Sequence, residues 1–157
     1  MPLPIQGFYT VGKKLMNVVD IMTANPIAIS PNATLREALN LMHEHHIMHL
    51  PVISKQKHLV GVISDRDCRQ ALNSPYILRE KWQDEELLDK LDVRSFMTAA
   101  PIIVEPDAPA TEATRLMLTH IIGCLPVMRA ETLVGIVTRS DILVAFMKIY
   151  DKIDILT

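Results

Sequence analysis

Apolar residues occur at two different spacings along this chain, and the spacing predicts where helices and strands lie. Between residues 34 and 46, apolar side chains recur every three or four positions, which is the period of one helical face. Thr34 and Glu37 have the spacing of a capping box, which marks the start of that helix. Short apolar runs, "PIAIS" before the helix and "MHLPVIS" and "HLVGVIS" after it, predict strands. The apolar face of the helix consists of Leu35, Ala38, Leu39 and Met42.

The same succession of elements occurs a second time, 75 residues later. Residues 18–42 return as residues 93–117, and "PIAIS" returns as "PIIVE". Further on, "IMHLPV" returns as "IGCLPV" and "LVGVISDRD" returns as "LVGIVTRSD". A repeat of this fidelity predicts two copies of one unit, which bury their faces against each other because each alone is short for a stable core. We expect a pseudo-two-fold axis, and any site that the unit builds to occur twice.

The repeat divides the chain into five parts. A lead-in covers residues 1–17, the first repeat covers 18–72 and the second covers 93–148. Each repeat has the order strand, helix, strand, strand, helix, with the closing helices predicted over Asp65–Leu72 and over residues 140–150. Residues 73–92 form a charged linker in which residues 80–91 are predicted as a surface helix, and residues 149–157 form a tail. The apolar stripe of the linker helix consists of Trp82, Leu87, Leu88 and Leu91.

The composition excludes several classes of function. Of 157 residues, 49% are hydrophobic and 22% are charged, which is typical of a globular protein. The net charge of −2 gives no long-range attraction to nucleic acid or to an anionic membrane, so we expect neither as a partner. Only Cys68 and Cys124 are present, at non-equivalent positions of the repeats, which favours free thiols and a reducing compartment. Without a secretory signal pattern or an apolar run of membrane-spanning length, we expect a cytoplasmic protein.

Three motifs, each present in both repeats, give the chain a family resemblance. "MTANP" and "MTAAP" open the repeats, "HLPV" and "CLPV" lie on the second strand, and "GVISDRD" and "GIVTRSD" close the last strand. In this order they resemble a tandem pair of CBS domains, often called a Bateman module, over residues 18–146. The resemblance implies an α/β (α+β) disc of two pseudo-symmetric repeats, packed sheet to sheet, with two clefts between them. It also implies a regulatory ligand, an adenine nucleotide (AMP, ADP or ATP) or S-adenosylmethionine, and signalling to an unknown partner protein.

The closing motif has chemistry that suits a nucleotide. A strand that turns into a helix at Ser64 or Thr138 presents backbone N–H groups to an anion, and the hydroxyl can donate to a phosphate oxygen. Asp67 and Asp141, three residues later, carry carboxylates that can accept hydrogen bonds from both hydroxyls of a ribose. Because the same spacing occurs in helix caps, a purely structural role is the alternative.

The resemblance further implies that each site combines the end of one repeat with the start of the other. Carried over position by position, the first site contains Met48, His49, Ser64, Arg66, Asp67, Thr98, Ile102 and Ile122. The second site contains Gly123, Cys124, Thr138, Ser140, Asp141, Thr23, Ile27 and Ile47. Candidates for an apolar adenine slot are Ile27, Ile47, Ile102 and Ile122, with ordinary core packing as the alternative for each.

The two predicted sites differ in their positive charge. Arg66 and His49 of the first site are replaced by Ser140 and Cys124 in the second. We therefore expect the first site to bind a phosphorylated nucleotide more tightly, and the second to be weaker or to prefer a nucleoside.

Four histidines lie within seven residues, namely His43, His45, His46 and His49. On one continuous helix, His45 and His49 would share a face and could hold zinc. The repeat alignment predicts a break between helix and strand near His46, so we expect no metal site and place His43 and His45 at a solvated helix end. A titrating His49 would make phosphate affinity depend on pH.

The sequence favours a sensor over an enzyme. The chain has five glycines, no glycine-rich phosphate loop and no serine in a nucleophile-elbow motif. We therefore expect a ligand-sensing module that requires no cofactor. The alternative is a dimerisation or docking module with no bound nucleotide. Apolar residues of the last helix, Leu143, Phe146, Met147 and Tyr150, would support a homodimer unless they face the chain's own core or the lead-in.

Overall fold

The structure is a computed structural model that describes residues 16–72 and 81–154. This part of the chain contains two three-stranded sheets and five α-helices. The first repeat contains β1 (Thr23–Ala24), α1 (Leu35–Glu44), β2 (His49–Ile53), β3 (Leu59–Ser64) and α2 (Asp65–Leu72). After α3 (Lys81–Leu88), the second contains β4 (Thr98–Ala99), α4 (Ala110–His120), β5 (Cys124–Arg129), β6 (Thr132–Thr138) and α5 (Arg139–Asp154). The predicted mixed fold of two equivalent repeats is confirmed.

Each sheet takes one edge strand from the opposite repeat. The strand orders are β1-β6-β5 and β2-β3-β4. Strand β1 pairs with β6, where Thr23 lies opposite Ile136, and β4 pairs with β3, where Thr98 lies opposite Val62. The start of each repeat is therefore held beside the closing strand of the other, which brings residues from both repeats to one place.

Two glycines let these short strands approach closely. A Cβ on Gly61 would lie 2.5 Å from Met97 Sδ and 2.9 Å from the Thr98 carbonyl oxygen. On Gly135 the equivalent distances are 2.5 Å to Met22 Sδ and 3.1 Å to the oxygen of Thr23. A methyl group has no room at either position, so each glycine allows the opposite repeat's edge strand to dock.

The hydrophobic core follows the same exchange. Val93, at the start of the second repeat, is buried with the helix and strands of the first, and Val18 is buried with those of the second. Val62, Cys124 and Ile136 form a third buried cluster, drawn from β3, β5 and β6, where the two sheets face each other. Each repeat thus contributes a buried residue to the core of the other, and the third cluster joins the two sheets, so neither repeat's core is complete without the other.

The structure corrects several predicted boundaries. Residues 26–30 and 101–105 are not full strands; each provides one isolated parallel bridge, Ile29 to Val52 and Val104 to Val127. The prolines that open these segments lack the N–H needed for a ladder. The linker helix is shorter than residues 80–91, since α3 ends at Leu88.

The closing helix of the second repeat is longer than predicted. α5 begins at Arg139 and continues to Asp154, so it includes residues 149–154 of the expected tail. In the linker stripe, Leu88 is buried and Leu91 packs against the first repeat's core, as predicted. The side chain of Trp82 and most of the lead-in fall outside the described residues.

Candidate functional site

A cleft of about 960 Å3 lies between the two repeats. All sixteen residues proposed from the sequence line this cleft. The two expected clefts are two halves of one cavity, because β1 and β4 cross to the opposite sheets and bring both sets of residues together. Their individual contacts with a ligand stay predictions.

Some residues that line the cleft were not predicted from the sequence. Additional lining residues include Asn25 and Ala100, which follow β1 and β4, and His46 and Ile121, which precede β2 and β5. All four have a positive φ, between 45° and 55°. Such left-handed turns occur at equivalent places in both repeats, and two of the four residues, Asn25 and His46, are of types enriched in that conformation, whereas Ala100 and Ile121 are not. The turns are therefore a property of the repeated unit that residue types signal only weakly.

The closing motif forms a reciprocal cap in the first half of the cleft. Asp67 Oδ2 accepts hydrogen bonds from the backbone N–H of Ser64 at 2.8 Å and from its hydroxyl at 2.7 Å. The Asp67 N–H in turn donates to Ser64 Oγ at 3.2 Å. The second half repeats this with Thr138 and Asp141, at 2.7, 2.8 and 3.3 Å. The structural role that the sequence left open is present in both copies.

The cap uses one oxygen of each carboxylate. Oδ1 of Asp67 and Oδ1 of Asp141 accept no hydrogen bond from the residues that the structure describes. Both aspartates line the cleft, and both are partly buried. An oriented carboxylate with one open acceptor on each cleft wall suits a ligand that carries neighbouring hydroxyl groups.

His49 reaches from the first repeat to the second. A Cβ on Gly123 would lie 3.0 Å from His49 Nε2 and 3.3 Å from Cε1, so the imidazole rests against the backbone of the opposite repeat. Burial lowers the pKa of His49 below its ordinary 6.5, while the negative charge of Asp67 raises it and the positive charge of Arg139 lowers it further. Burial therefore favours the neutral form of the imidazole.

Arg139 supplies a positive charge that the sequence analysis overlooked. Its Nε donates to the carbonyl oxygen of Ile122 at 3.0 Å, and its side chain lines the cleft. The expectation of a second half without a basic residue was therefore incomplete. Ser140 does replace Arg66, but Arg139 stands one position earlier, where the first repeat has Asp65.

Comparison with known proteins identifies the family. The family profile described as "CBS domain" matches residues 18–74 and again residues 93–148. The chain belongs to the CBS domain family. A CBS domain-containing protein of Dictyostelium discoideum is 34% identical over 140 residues, which is 87% of this chain and 94% of that protein.

Two solved CBS structures are similar in fold and hold ligands. The CBS domain pair of protein MJ0100, in complex with 5′-methylthioadenosine and S-adenosyl-L-methionine, is 28% identical, with a TM-score of 0.74. It covers 86% of this chain and 98% of its own. CBSX2 of Arabidopsis thaliana, in complex with AMP, is 31% identical, with a TM-score of 0.68, and covers 85% and 98% of the two chains. CBS pairs of this fold thus bind adenosine-containing ligands.

Both thiols of this CBS pair are held in the protonated form. Burial raises the pKa of Cys124, which lines the cleft, to about 12, with a smaller contribution from Asp67. Burial and the nearby carboxylates of Asp67 and Asp65 raise the pKa of Cys68 to about 11. Because the thiolate is the reactive form, both cysteines are poor nucleophiles at neutral pH.

The histidine cluster is divided between two elements. α1 ends at Glu44, and His46 has a φ of 53°, so the predicted break before β2 is confirmed. His43 and His45 are exposed at the helix end, whereas His49 begins β2 and faces the cleft. Within residues 16–72 and 81–154, no three His, Cys, Asp or Glu side chains are grouped so that they could hold a metal ion.

The surface of α5 carries large apolar side chains. Leu143, Phe146 and Met147 are 63%, 63% and 61% exposed, and the rings of Phe146 and Tyr150 pack with centroids 6.2 Å apart. These residues therefore do not pack into the core formed by the described residues. None of the described helices combines the length and the hydropathy that crossing a bilayer demands.

Proposed function

We propose that this CBS pair is a regulatory module that binds an adenosine-containing ligand in its cleft and signals occupancy to a partner protein. The observation that carries the proposal is the pair of capped aspartates, Asp67 and Asp141, each with an open carboxylate oxygen on the wall of one shared cleft. The ligands of the similar solved structures, AMP and S-adenosyl-L-methionine, support the same class of ligand.

The cleft offers a complementary surface for each part of such a ligand. Oδ1 of Asp67 or Asp141 accepts hydrogen bonds from the ribose hydroxyls, which are stronger because the acceptor is charged. Four isoleucines, of which Ile27 and Ile102 follow the edge strands, provide apolar surface for adenine. Nucleotide binding that draws on both repeats would bias how they pack against each other, and this change is the signal available to a partner.

A thermal-shift screen tests the proposal. AMP, ADP, ATP, S-adenosylmethionine and guanosine nucleotides are added to the full chain while melting is followed. At a concentration of about 100 times Kd, a ligand adds about 2.7 kcal/mol to the free energy of unfolding, which raises Tm by roughly 5–10 °C for a domain of this size. If no adenosine compound raises Tm, while calorimetry also detects no heat of binding, the proposal is wrong.

We propose that the protein senses its ligand without converting it. The proposal includes a cytoplasmic location, because Cys68 and Cys124 are free thiols and reducing compartments keep thiols free. Chromatography of the nucleotide after prolonged incubation measures turnover. If AMP or ATP raises Tm and is recovered unchanged, the result supports a sensor. If more than one molecule of product forms for each molecule of protein, the result supports an enzyme.

A homodimer is the second proposal, and it is supported by the exposed apolar face of α5. Leu143, Phe146 and Met147 lie on this face. Light scattering measures the mass of the wild-type chain and of a Phe146→Ser, Met147→Ser variant. A dimeric wild type and a monomeric variant support docking through α5, and a monomeric wild type contradicts it.

A further inference from the structure

A second cavity lies outside the ligand cleft and is rich in positive charge. This cavity, of about 960 Å3, is formed by residues 28–32, residues 53–57, Arg94 and the first two residues of β6, and we call it the basic groove. Among the described residues that line it, none is acidic and three are cationic, namely Lys55, Lys57 and Arg94. Since the full chain has a net charge of −2, the basic groove concentrates positive charge on a slightly acidic protein.

The cations of the basic groove are not neutralised by the part of the chain that the structure describes. No carboxylate of residues 16–72 or 81–154 forms an ion pair with any of the three. Arg94 donates one long hydrogen bond, of 3.4 Å, to Asn32 Oδ1. Apolar side chains complete the lining, and these belong to Ile29, Pro31, Ile53 and Leu133. A small anion would use only the cations, whereas a peptide with carboxylates beside apolar side chains would use the whole lining.

The equivalent corner of the second repeat is acidic instead. At an offset of 75 residues, Asn32 of the groove corresponds to Asp107, and Arg94 corresponds to Val19. The corresponding hairpin loop, between β5 and β6, contains Glu131. The positive charge is therefore a feature of the first repeat's own sequence and not of the repeated fold.

The basic groove and the ligand cleft share one continuous segment of chain. Residues 25–27 line the cleft, and residues 28–32 line the groove. Strand β2 joins the two places as well, because His49 at its start lines the cleft and Ile53 at its end lines the groove. The Ile53 N–H donates to the Ile29 carbonyl oxygen at 2.9 Å, which ties the segment to the strand. A shift of the cleft part of this segment would therefore move the groove part with it.

We propose that the basic groove docks an acidic segment of the partner protein, in which carboxylates stand beside apolar residues, and that a ligand in the cleft changes the affinity for this segment. The docking depends on the groove alone. The coupling rests on the proposed function, since it requires an adenosine-containing ligand in the cleft. Charge complementarity selects the partner, and contact with the apolar lining adds affinity.

Fluorescence anisotropy tests the docking with a fluorescein-labelled peptide of alternating pairs of glutamate and leucine. The peptide is titrated with the full chain as wild type and as the Lys55→Gln, Lys57→Gln variant. The matched control, Lys90→Gln with Arg115→Gln, also removes two positive charges, but each of these is paired with a carboxylate outside the groove. We expect the groove variant to weaken peptide binding about tenfold and the control to stay within about twofold of the wild type. A peptide with glutamine in place of glutamate should bind more weakly to all three.

A second titration tests the coupling. With AMP at a saturating concentration, the affinity of the wild type for the acidic peptide should change about fivefold. Because coupling between two sites is reciprocal, the peptide should change the AMP affinity, measured by calorimetry, by the same factor.

The outcomes separate this inference from the proposed function. If the acidic peptide does not bind, or binds the groove variant as tightly as the wild type, the docking is wrong. If the peptide binds in the groove and saturating AMP leaves its affinity unchanged, the coupling is wrong. If AMP itself does not bind, the proposed function and the coupling fail together, while the first titration still decides the docking.

A second copy of the chain is the competing occupant of the basic groove, since its acidic corner contains Asp107 and Glu131. Light scattering at low salt measures the mass of the wild type and of an Asp107→Asn, Glu131→Gln variant. If the wild type self-associates and this variant does not, the acidic corner of another copy fills the groove and the proposal is wrong. If the two masses are equal, the result supports a partner of different sequence.

Discussion

Replacing Gly61 with alanine tests whether the exchange of edge strands holds the cleft together. The new Cβ would lie 2.5 Å from Met97 Sδ and 2.9 Å from the Thr98 carbonyl oxygen, where ordinary contacts begin near 3.4 Å. The thioether can move, but the carbonyl belongs to β4 and moves only with the strand. Overpacking of this kind costs about 1–3 kcal/mol. A loss of 2 kcal/mol lowers Tm by about 4–8 °C in a domain of this size.

Differential scanning calorimetry of Gly61→Ala measures this loss, with Gly123→Ala as the matched control. At Gly123 the added Cβ meets only the imidazole of His49, at 3.0 and 3.3 Å, and that side chain can turn aside. We expect Gly61→Ala to lower Tm, Gly135→Ala to do so similarly by pseudo-symmetry, and Gly123→Ala to have a smaller effect. Equal Tm values for Gly61→Ala and the wild type would refute the docking of β4 on β3 as described.

Three further predictions follow from the site. Asp67→Asn keeps an acceptor for the hydrogen bonds from Ser64, so the free energy of unfolding should change by less than about 1 kcal/mol. Adenosine affinity should nevertheless fall about tenfold, because the charged acceptor is lost. Equal losses of stability in Asp67→Asn and Asp67→Ala would contradict this prediction. Because burial lowers the pKa of His49, the unfolded chain binds more protons than the folded chain as the pH falls below 6.5. The free energy of unfolding should therefore fall more steeply from pH 7 to pH 5 in the wild type than in His49→Gln. If the denaturant midpoints of the two proteins change equally with pH, the prediction is wrong. Iodoacetamide at pH 8 should leave Cys68 and Cys124 unlabelled in the native protein and should label both after denaturation. Rapid labelling of either cysteine in the native protein would contradict the raised pKa values.

Phosphate affinity should depend on pH if His49 contacts the phosphate. Since a bound phosphate favours the imidazolium, AMP affinity should rise from pH 8 to pH 6 in the wild type. The effect should be smaller in His49→Gln, and it should be absent for adenosine. Equal AMP affinity across this range in the wild type counts against a contact between His49 and phosphate. The charged groups that act on this imidazole are Asp67 from α2 and Arg139 from α5.

Repetition made the architecture predictable. Two copies of the closing motif indicated two capped carboxylates, and the family resemblance implied that Asp67 and Thr98 belong to one site. The capping box of Thr34 and Glu37 could be predicted because its two residues are only three positions apart in sequence. These features are local, or are doubled by the repeat, and so they leave a clear signal.

Features that depend on tertiary contacts could not be predicted from the sequence. β1 and β4 contain two residues each, which is too short for an alternating pattern, and their partners lie in the other repeat. Arg139 is a charged residue at a helix start, a place where solvent exposure is the usual expectation. Arg139 is indeed exposed, but its Nε donates to the Ile122 carbonyl oxygen and its side chain lines the cleft, and this contact between residues 17 positions apart has no signal in the sequence.

The most direct test of the central claim is a methyl NMR titration of 13C-labelled isoleucine side chains with AMP. The account predicts that the methyl signals of Ile27, Ile47, Ile102 and Ile122 shift with a common dissociation constant. Ile149, on the exposed part of α5, should keep its position unless the oligomeric state changes. If AMP binds while the four cleft signals stay unchanged, the ligand lies elsewhere and the account of the cleft is wrong.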